Sequence, residues 1–397
     1  MTQARNDTRA PVPRRKDDDH SREAAEERRA FIEQRTGARL DHVGAFSFDP
    51  AVTRGNIENF IGAAQVPIGL AGPLRIRGEH IQDEDVYVPL ATSEGTLAAS
   101  YNRGMRILTE AGGVKTTIVE RYMQRAPVFH FEDARGARDF ARWLDANMDG
   151  VRAAAEATSS VARLSHIERY AIGPMLHLRF NFETGDAAGQ NMSGKAADAA
   201  CRWIAQNHPG RARYTLSGAM DTDKKHSQLN MLHSRGARVV AEARIPSALL
   251  RERVGVDAEA LFRVRLNSFA GSVLAGSANN GMHAANALAA LFIATGQDAA
   301  NVAESHAAIT YVRLEDAGET YYWSITLPAL IVATFGGGTG LPTQAECLDI
   351  LGCRGKGKVG RFIEICAATV LAGEISLAGA VVAGDWVESH ETLGRNR

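Results

Sequence analysis

Cysteine is scarce in this chain. Its 397 residues include 4 cysteines, Cys201, Cys347, Cys353 and Cys366, irregularly spaced and with no CxxC pair. Neither a zinc site nor a disulfide framework is supported, and buried free thiols in a reducing cytoplasm are expected. Charge of one sign is also missing: the formal net charge is -1 with 23% charged residues. No global field exists to draw nucleic acid or a membrane surface. The first residues, MTQARNDTRAPVPRRKDDDH, lack the apolar core of a signal peptide and read as a disordered tail over 1–20. The longest apolar run, Ile365 to Val387, is interrupted by Glu374 and Asp385 and is dominated by Ala and Gly. It reads as a buried helix packed through small residues, not as a membrane span. The loop GDAAGQNM between a strand and a helix is not GxGxxG, so a Rossmann fingerprint is not available there. What the chain does have is glycine, 38 residues of it, much in short clusters that bring backbone close to ligands or to other backbone. The length allows two or three domains and a large core.

The segment SREAAEERRAFIEQR is helical by composition and belongs to an N-terminal helical stretch over 21–55. IENFIGAAQVPIGLAGPL mixes Pro, Gly and apolar residues and reads as a tight irregular segment. VYVPL (86–90) reads as a short strand, followed by a helix starting at Thr92 or Ser93 that buries Leu97, Tyr101, Met105 and Leu108. From 127 to 213 the order changes to strand, helix, strand, strand, helix, with RLSHIERYAI and MLHLRFNFE alternating cleanly. That order suits a small ferredoxin-like α/β sandwich inserted between 56–126 and 214–397, which makes the whole an α+β chain. RVVAEARI is a further strand, AANALAALFIAT a helix ended by Gly296, and SITLPALIVATF strand-like with Pro328 marking an edge or a bend.

Several segments could carry chemistry, and each has an ordinary structural explanation as well. SGAMDTDKKHSQLN (217–230) is a loop with two adjacent lysines that either point into solvent or hold a cation over a substrate. Glu94 in TSEG can favour a helix dipole or serve as a proton donor. Asp298 in GQDAAN can cap a turn or act beside the lysine. GDAAGQNM (185–192), between a strand and a helix, can present backbone N–H groups to a phosphate or ribose. The glycine run at 336–340 allows close backbone approach, and Ser389-His390 stands near the end of the sequence.

Taken together and in order, IENFIGAAQVPIGLAGPL, VPLATSEGTLAASYNRG, GDAAGQNM, TDKK, HAAN, GQDAAN, GGGTGLP and the terminal SH resemble the hydroxymethylglutaryl-CoA (HMG-CoA) reductase family, closest to the class I catalytic domain. The resemblance runs over about residues 50 to 390. It implies reduction of a thioester to an alcohol by two hydrides from NADPH, through a hemithioacetal and an aldehyde. By resemblance, Lys224 stabilises negative charge on the carbonyl oxygen, a strongly rate-enhancing placement for a cation. Glu94 donates a proton in the aldehyde step, Asp298 lies close to both in one coupled group, and His390 protonates the departing CoA thiolate. Arg125, Ser217, Asp223 and Lys225 are implied to line the pocket for the acyl group. Ser100, Asn102 and Arg103 face CoA, and Asn286 orients the Lys224–Glu94–Asp298 group. Asp186, Ala188, Gly189, Gln190 and Asn191 form the cofactor loop of the 127–213 domain, and 56–126 with 214–397 forms the HMG-CoA domain. The family implies a homodimer or larger homo-oligomer with shared sites, and the lack of an anchor implies a cytoplasmic enzyme.

The chain also departs from the family. DAAGQN replaces the usual DAMGMN, which bears on cofactor preference. VRLNSFAGSVLAGS contains Leu266 and no lysine where family members often carry one for the substrate carboxylate; Arg263 or Arg265 on a strand there would face the opposite side. Two alternatives stay open: an enzyme run oxidatively with NADH, and a non-catalytic CoA-thioester-binding paralogue.

Overall fold

The computed structural model describes residues 10–384 apart from Arg211 and Ala278. α1 (Arg22–Thr36) starts where the Ser21 hydroxyl accepts the Ala24 amide and ends at left-handed Gly37. Its buried Arg28 donates to the carbonyls of Pro13, Asp19 and Phe60, which ties part of the expected tail to this helix. β1 (Ile68–Arg77) and β2 (Gln82–Ala91) form a hairpin, followed by α2 (Leu97–Glu110) and the long β3 (Val114–Arg125). Next come β4 (Val128–His130), α3 (Ala134–Ala146), α4 (Met148–Glu156), β5 (Arg163–Ile172), β6 (Met175–Glu183), α5 (Gln190–Asn207) and β7 (Arg213–Thr215). The remainder supplies α6 (Gln228–Leu232), β8 (Gly236–Pro246), α7 (Ser247–Val254), α8 (Ala258–Leu274), α9 (Ala284–Thr295) and α10 (Val302–Ser305). It closes with β9 (Ile309–Glu315), β10 (Thr320–Leu330), α11 (Pro342–Ile350) and α12 (Val359–Ala383).

The strands join in one 10-stranded sheet, ordered β7-β4-β6-β3-β8-β10-β9, with β5 on β6 and the β1–β2 hairpin on β3. Helices and a mainly antiparallel sheet make the chain α+β. β3 is the shared strand: Lys115 to Tyr122 pair with β8, and Met123 to Arg125 pair with β6. Two hydrophobic cores lie on either side of that handover. The larger collects β1, β2, α2, β8, α9, β10 and α12, and the smaller lies wholly between Phe129 and Ala212. In β6, Leu176, Leu178, Phe180 and Phe182 fill the smaller core, while His177, Arg179 and Asn181 are buried on the other face. The period of two decides which residue faces which side.

α12 is buried along most of its length, as the small-residue composition implies. A Cβ at Gly104 of α2 would collide with the Ala372 carbonyl of α12, and one at Gly373 with the Tyr101 ring. Glycine at both positions lets the two helices meet at backbone contact.

Two local expectations are corrected and a third is narrowed. The helix after β2 begins at Leu97, not at Thr92 or Ser93, because the Thr92 hydroxyl accepts the Glu94 amide in a turn and Thr96 is left-handed (φ 67). Residues 263–274 are helix α8, not a strand; Arg265 is buried while Leu266 is exposed. Pro328 marks the bend and not the edge: β10 is an inner strand between β8 and β9, and this residue sits where the β8 register shifts, between Leu327 and Leu330.

Candidate active site

Lys224 stands on a tightly wound loop between β7 and α6, where Ala219, Thr222 and Lys224 all have positive φ (66, 54 and 54). L-residues adopt that region only when their surroundings hold them there. The Lys224 Nζ lies 2.7 Å from Asp298 Oδ2, with both side chains nearly half exposed (42% and 44%). This hydrogen bond is the main cause that raises the Lys224 ammonium above its ordinary pKa, against the lowering effect of burial. At such exposure the pair adds little stability, and its importance lies in position. Asp298 is fixed from its own side. Left-handed Gly296 ends α9, and the Asp298 carboxylate caps the next turn by accepting the Ala300 amide.

Behind the pair lies a buried network that the sequence reading missed. Glu304 Oε1 accepts the Lys224 amide (3.1 Å), and its Oε2 accepts Arg235 Nε (2.8 Å). Arg235 Nη2 then donates to Asp223 Oδ1 (2.6 Å), which also accepts Gln190 Nε2 (3.0 Å). Burial pushes the Glu304 carboxyl up to about 7, with Arg235 and the Lys224 amide pulling the other way. The signal available in sequence was one acid in AANVAES, six positions after Asp298, among small residues. Nothing in that spacing says that it turns inward.

The other expected acyl-pocket residues gather around the same loop. Arg125, at the end of β3, donates to Asp221 Oδ2 (3.0 Å) and to the Gln190 carbonyl (3.3 Å). Ser217 Oγ donates to the same Asp221 carboxylate (3.3 Å), and Lys225 Nζ donates to the Asp223 carbonyl (3.0 Å).

A cavity of 710 Å³ opens beside this group, lined by Ala188, Gly189, Gln190 and Asn191 on one side and by Asp298 and the Gly336–Gly338 run on another. Gly189 is left-handed (φ 87) at the start of α5, where a Cβ would strike Thr184. The first residues of α5 line the cavity, and a helix start is suited to binding an anion. A Cβ on Gly336 or Gly337 would meet no other atom within 4 Å, so the missing side chains themselves leave this space open. Asp186 is occupied differently from the expectation: its carboxylate accepts the amides of Gly357, Lys358 and Val359 (2.7, 3.1 and 3.2 Å) and caps α12.

The remaining expected residues form a separate group. Ser100 Oγ and Arg103 Nε both lie 3.0 Å from Ser376 Oγ of α12, and Asn102 Oδ1 accepts the Gly72 amide (3.0 Å). Asn286 Nδ2 lies 3.0 Å from His283 Nδ1, not beside Lys224. The His283 ring stacks on Tyr101 at 4.8 Å, and burial lowers its pKa to about 4. Glu94 is exposed, and among the described residues its carboxylate makes no hydrogen bond or ion pair with Lys224 or Asp298. The described chain thus joins Lys224 to Asp298 and leaves Glu94 and Asn286 outside the pair. His390 lies outside the described residues.

The family model described as hydroxymethylglutaryl-coenzyme A reductase matches residues 24–395. The chain belongs to this family. An HMG-CoA reductase of Pyrococcus horikoshii is 42% identical over 382 residues, covering 94% of this chain and 92% of its own. One of Methanothermobacter thermautotrophicus is 42% identical over 376 residues and covers 94% of both chains. A solved class II HMG-CoA reductase of Streptococcus pneumoniae, bound to NADPH in open conformations, has a TM-score of 0.67 at 21% identity. It covers 84% of this chain and 89% of its own, and at that identity the likeness speaks for the reductase fold.

Proposed function

We propose that the protein reduces (S)-HMG-CoA to (R)-mevalonate and free CoA with two NADPH, supplying the mevalonate route to isoprenoids. The observation that carries this reading is the Lys224–Asp298 pair at the edge of a cavity also lined by the 188–191 loop and the glycine run. The cavity fits a nicotinamide dinucleotide: it has the volume, bare glycine backbone at Gly336 and Gly337, and the amides of a long helix start. Ala188, Gly189, Gln190 and Asn191 would hold the cofactor, whose chemistry is hydride delivery to a carbonyl carbon.

The chain's own residues then have distinct tasks. Lys224, kept charged by Asp298, holds the growing negative charge on the substrate carbonyl oxygen. Arg125, Ser217 and Lys225 bind the acyl carboxylate end, and Asp223 braces the loop through Arg235. Glu94 gives the proton for the aldehyde step, and His390 protonates the CoA thiolate. Ser100, Asn102 and Arg103 receive CoA.

We further infer a homodimer or larger homo-oligomer whose sites combine residues of two copies. Two features support this: Glu94 and Asn286 stand outside the Lys224–Asp298 pair, and α8 exposes Leu266, Phe269 and Val273 (51%, 54% and 65%) at helical spacing on one face. Residues 127–213 are read as an inserted ferredoxin-like cofactor domain, within a chain of class I type. The antiparallel order β7-β4-β6-β5, the two helical crossovers and the separate core support that division. A cytoplasmic location agrees with four free, buried cysteines. The test is HMG-CoA-dependent oxidation of NADPH compared with NADH. Turnover with NADPH is expected; turnover with NADH alone would replace this reading with the degradative one.

A further inference from the structure

Lys224 is held at both ends by one short stretch of chain. Asp298 takes its ammonium at 2.7 Å, and Glu304, six residues later, takes its backbone amide at 3.1 Å. The two grips differ in kind. The Asp298 pair is half exposed, whereas the Glu304 and Arg235 side chains are 0% and 1% exposed. A half-exposed ion pair fixes a long, flexible side chain weakly. A buried carboxylate bridging a backbone amide and a guanidinium is far stiffer, because breaking either bond strands a buried polar group.

The bond falls where the backbone needs it. Lys224 has φ 54, a conformation that costs free energy for a residue with a Cβ. In that conformation its amide donates to Glu304, and Arg235 anchors neighbouring Asp223 from the same carboxylate. Asp223 in turn receives Gln190 of the cofactor loop, which also donates to Asn301, on the turn that Asp298 caps. The lysine loop, the Asp298 turn and the cofactor loop therefore share one buried carboxylate as their common anchor.

We infer that Glu304 is a positioning residue for the reduction: its buried carboxylate, bridging the Lys224 amide and Arg235, sets where the Lys224 ammonium stands. The inference rests on the catalytic reading of Lys224 given above. Lys224 N–H and Arg235 Nε face different oxygens of Glu304, and in glutamine one of these becomes an NH2 that can only donate, so Glu304→Gln sets one of the two donors against a donor while nearly conserving volume. Glu364 is the matched control. It is equally buried and accepts the amides of Glu79 and His80 (2.7 and 3.1 Å), but it touches no residue of the site.

The experiment compares the full chain with its Glu304→Gln, Glu304→Asp and Glu364→Gln variants, measuring kcat and KM for HMG-CoA with NADPH. Glu304→Gln is expected to lower kcat about 100-fold with KM changed less than about threefold, the size of loss that ångström-scale misplacement produces. Glu304→Asp should lose less, and Glu364→Gln should keep wild-type kcat. If Glu304→Gln does not fold, Glu304→Asp carries the test: its kcat should fall below the wild-type value, by less than about 100-fold, with KM changed less than about threefold. Amide hydrogen exchange on the same samples reads the anchoring without turnover: exchange at Lys224 should quicken in the Glu304 variants and stay unchanged in Glu364→Gln. A wild type that fails to turn over while exchange responds as stated would sink the catalytic reading of the site and leave the anchor standing. Wild-type turnover with an unaltered kcat in the Glu304 variants, or Lys224 exchange that does not respond, would overturn the inference.

Discussion

Glu304 and Lys224 meet through a backbone hydrogen bond: the carboxylate accepts the lysine amide at 3.1 Å, while the ammonium pairs with Asp298 at 2.7 Å. The charge that would act on substrate is thereby left at the cavity edge, and the buried acid serves as its footing.

Replacing Asp298 by Asn removes the main cause that raises the Lys224 pKa. Lys224 then loses its proton at a lower pH than in the wild type. The alkaline fall in kcat should move to lower pH in Asp298→Asn, on top of a lower plateau. A pH–rate profile of both chains checks this, and an alkaline limb that stays in place contradicts it.

The buried Glu304 carboxyl, raised from 4.5 to about 7, links stability to pH. Its folded pKa exceeds the unfolded one, so the folded state binds the extra proton. That contribution is complete below the unfolded value and is lost as pH rises through about 7. Lys224, Arg235 and Asp223 are the charged groups that face this carboxyl. Compared with Glu304→Gln, the wild type should lose relative stability between pH 5 and pH 8 in denaturant titrations. An advantage that grows with pH would contradict the assignment.

Asp186 caps α12 through three amides although it lies in the proposed cofactor loop. Asp186→Ala should cost about 1 kcal/mol of stability, the usual loss for a cap. It should also raise KM for NADPH, because the loop loses its tie to the large core. Asp186→Asn, which keeps an acceptor oxygen, should lose less of both. Thermal melting and NADPH titration measure the two effects side by side.

The proposed sharing of sites between copies predicts an outcome that one chain alone cannot give. Glu94→Gln and Lys224→Ala homo-oligomers should each be inactive. Co-expressed chains should regain about a quarter of wild-type activity, since half the dimers are mixed and each carries one intact site. A mixture as inactive as its parents would place Glu94 and Lys224 of one site on the same copy.

How much of this was legible in the sequence depends on whether a feature is local. β5 and β6 were found residue for residue because strict alternation needs only neighbours. The buried face of α2 was likewise readable from its spacing, but its start was displaced because the Thr92 hydroxyl was spent on a turn. α8 was misread since an exposed Leu266 beside a buried Arg265 fits a strand as well as a helix. Lys224 and Asp298 were named through family resemblance; their 2.7 Å contact, across 74 positions, follows only from the fold. Glu304 escaped both routes: no motif names it, and its partners Lys224 and Arg235 lie 80 and 69 positions away.

The central claim is that Lys224 is the charge on which the reduction turns. The most direct measurement is HMG-CoA-dependent NADPH oxidation by the purified chain and by Lys224→Ala. Turnover in the wild type should fall at least about 100-fold in the variant, the scale for losing a preorganised stabiliser of developing charge. Its melting temperature should barely move, because a half-exposed ion pair contributes little to stability. A Lys224→Ala chain that turns over near the wild-type rate would contradict the account.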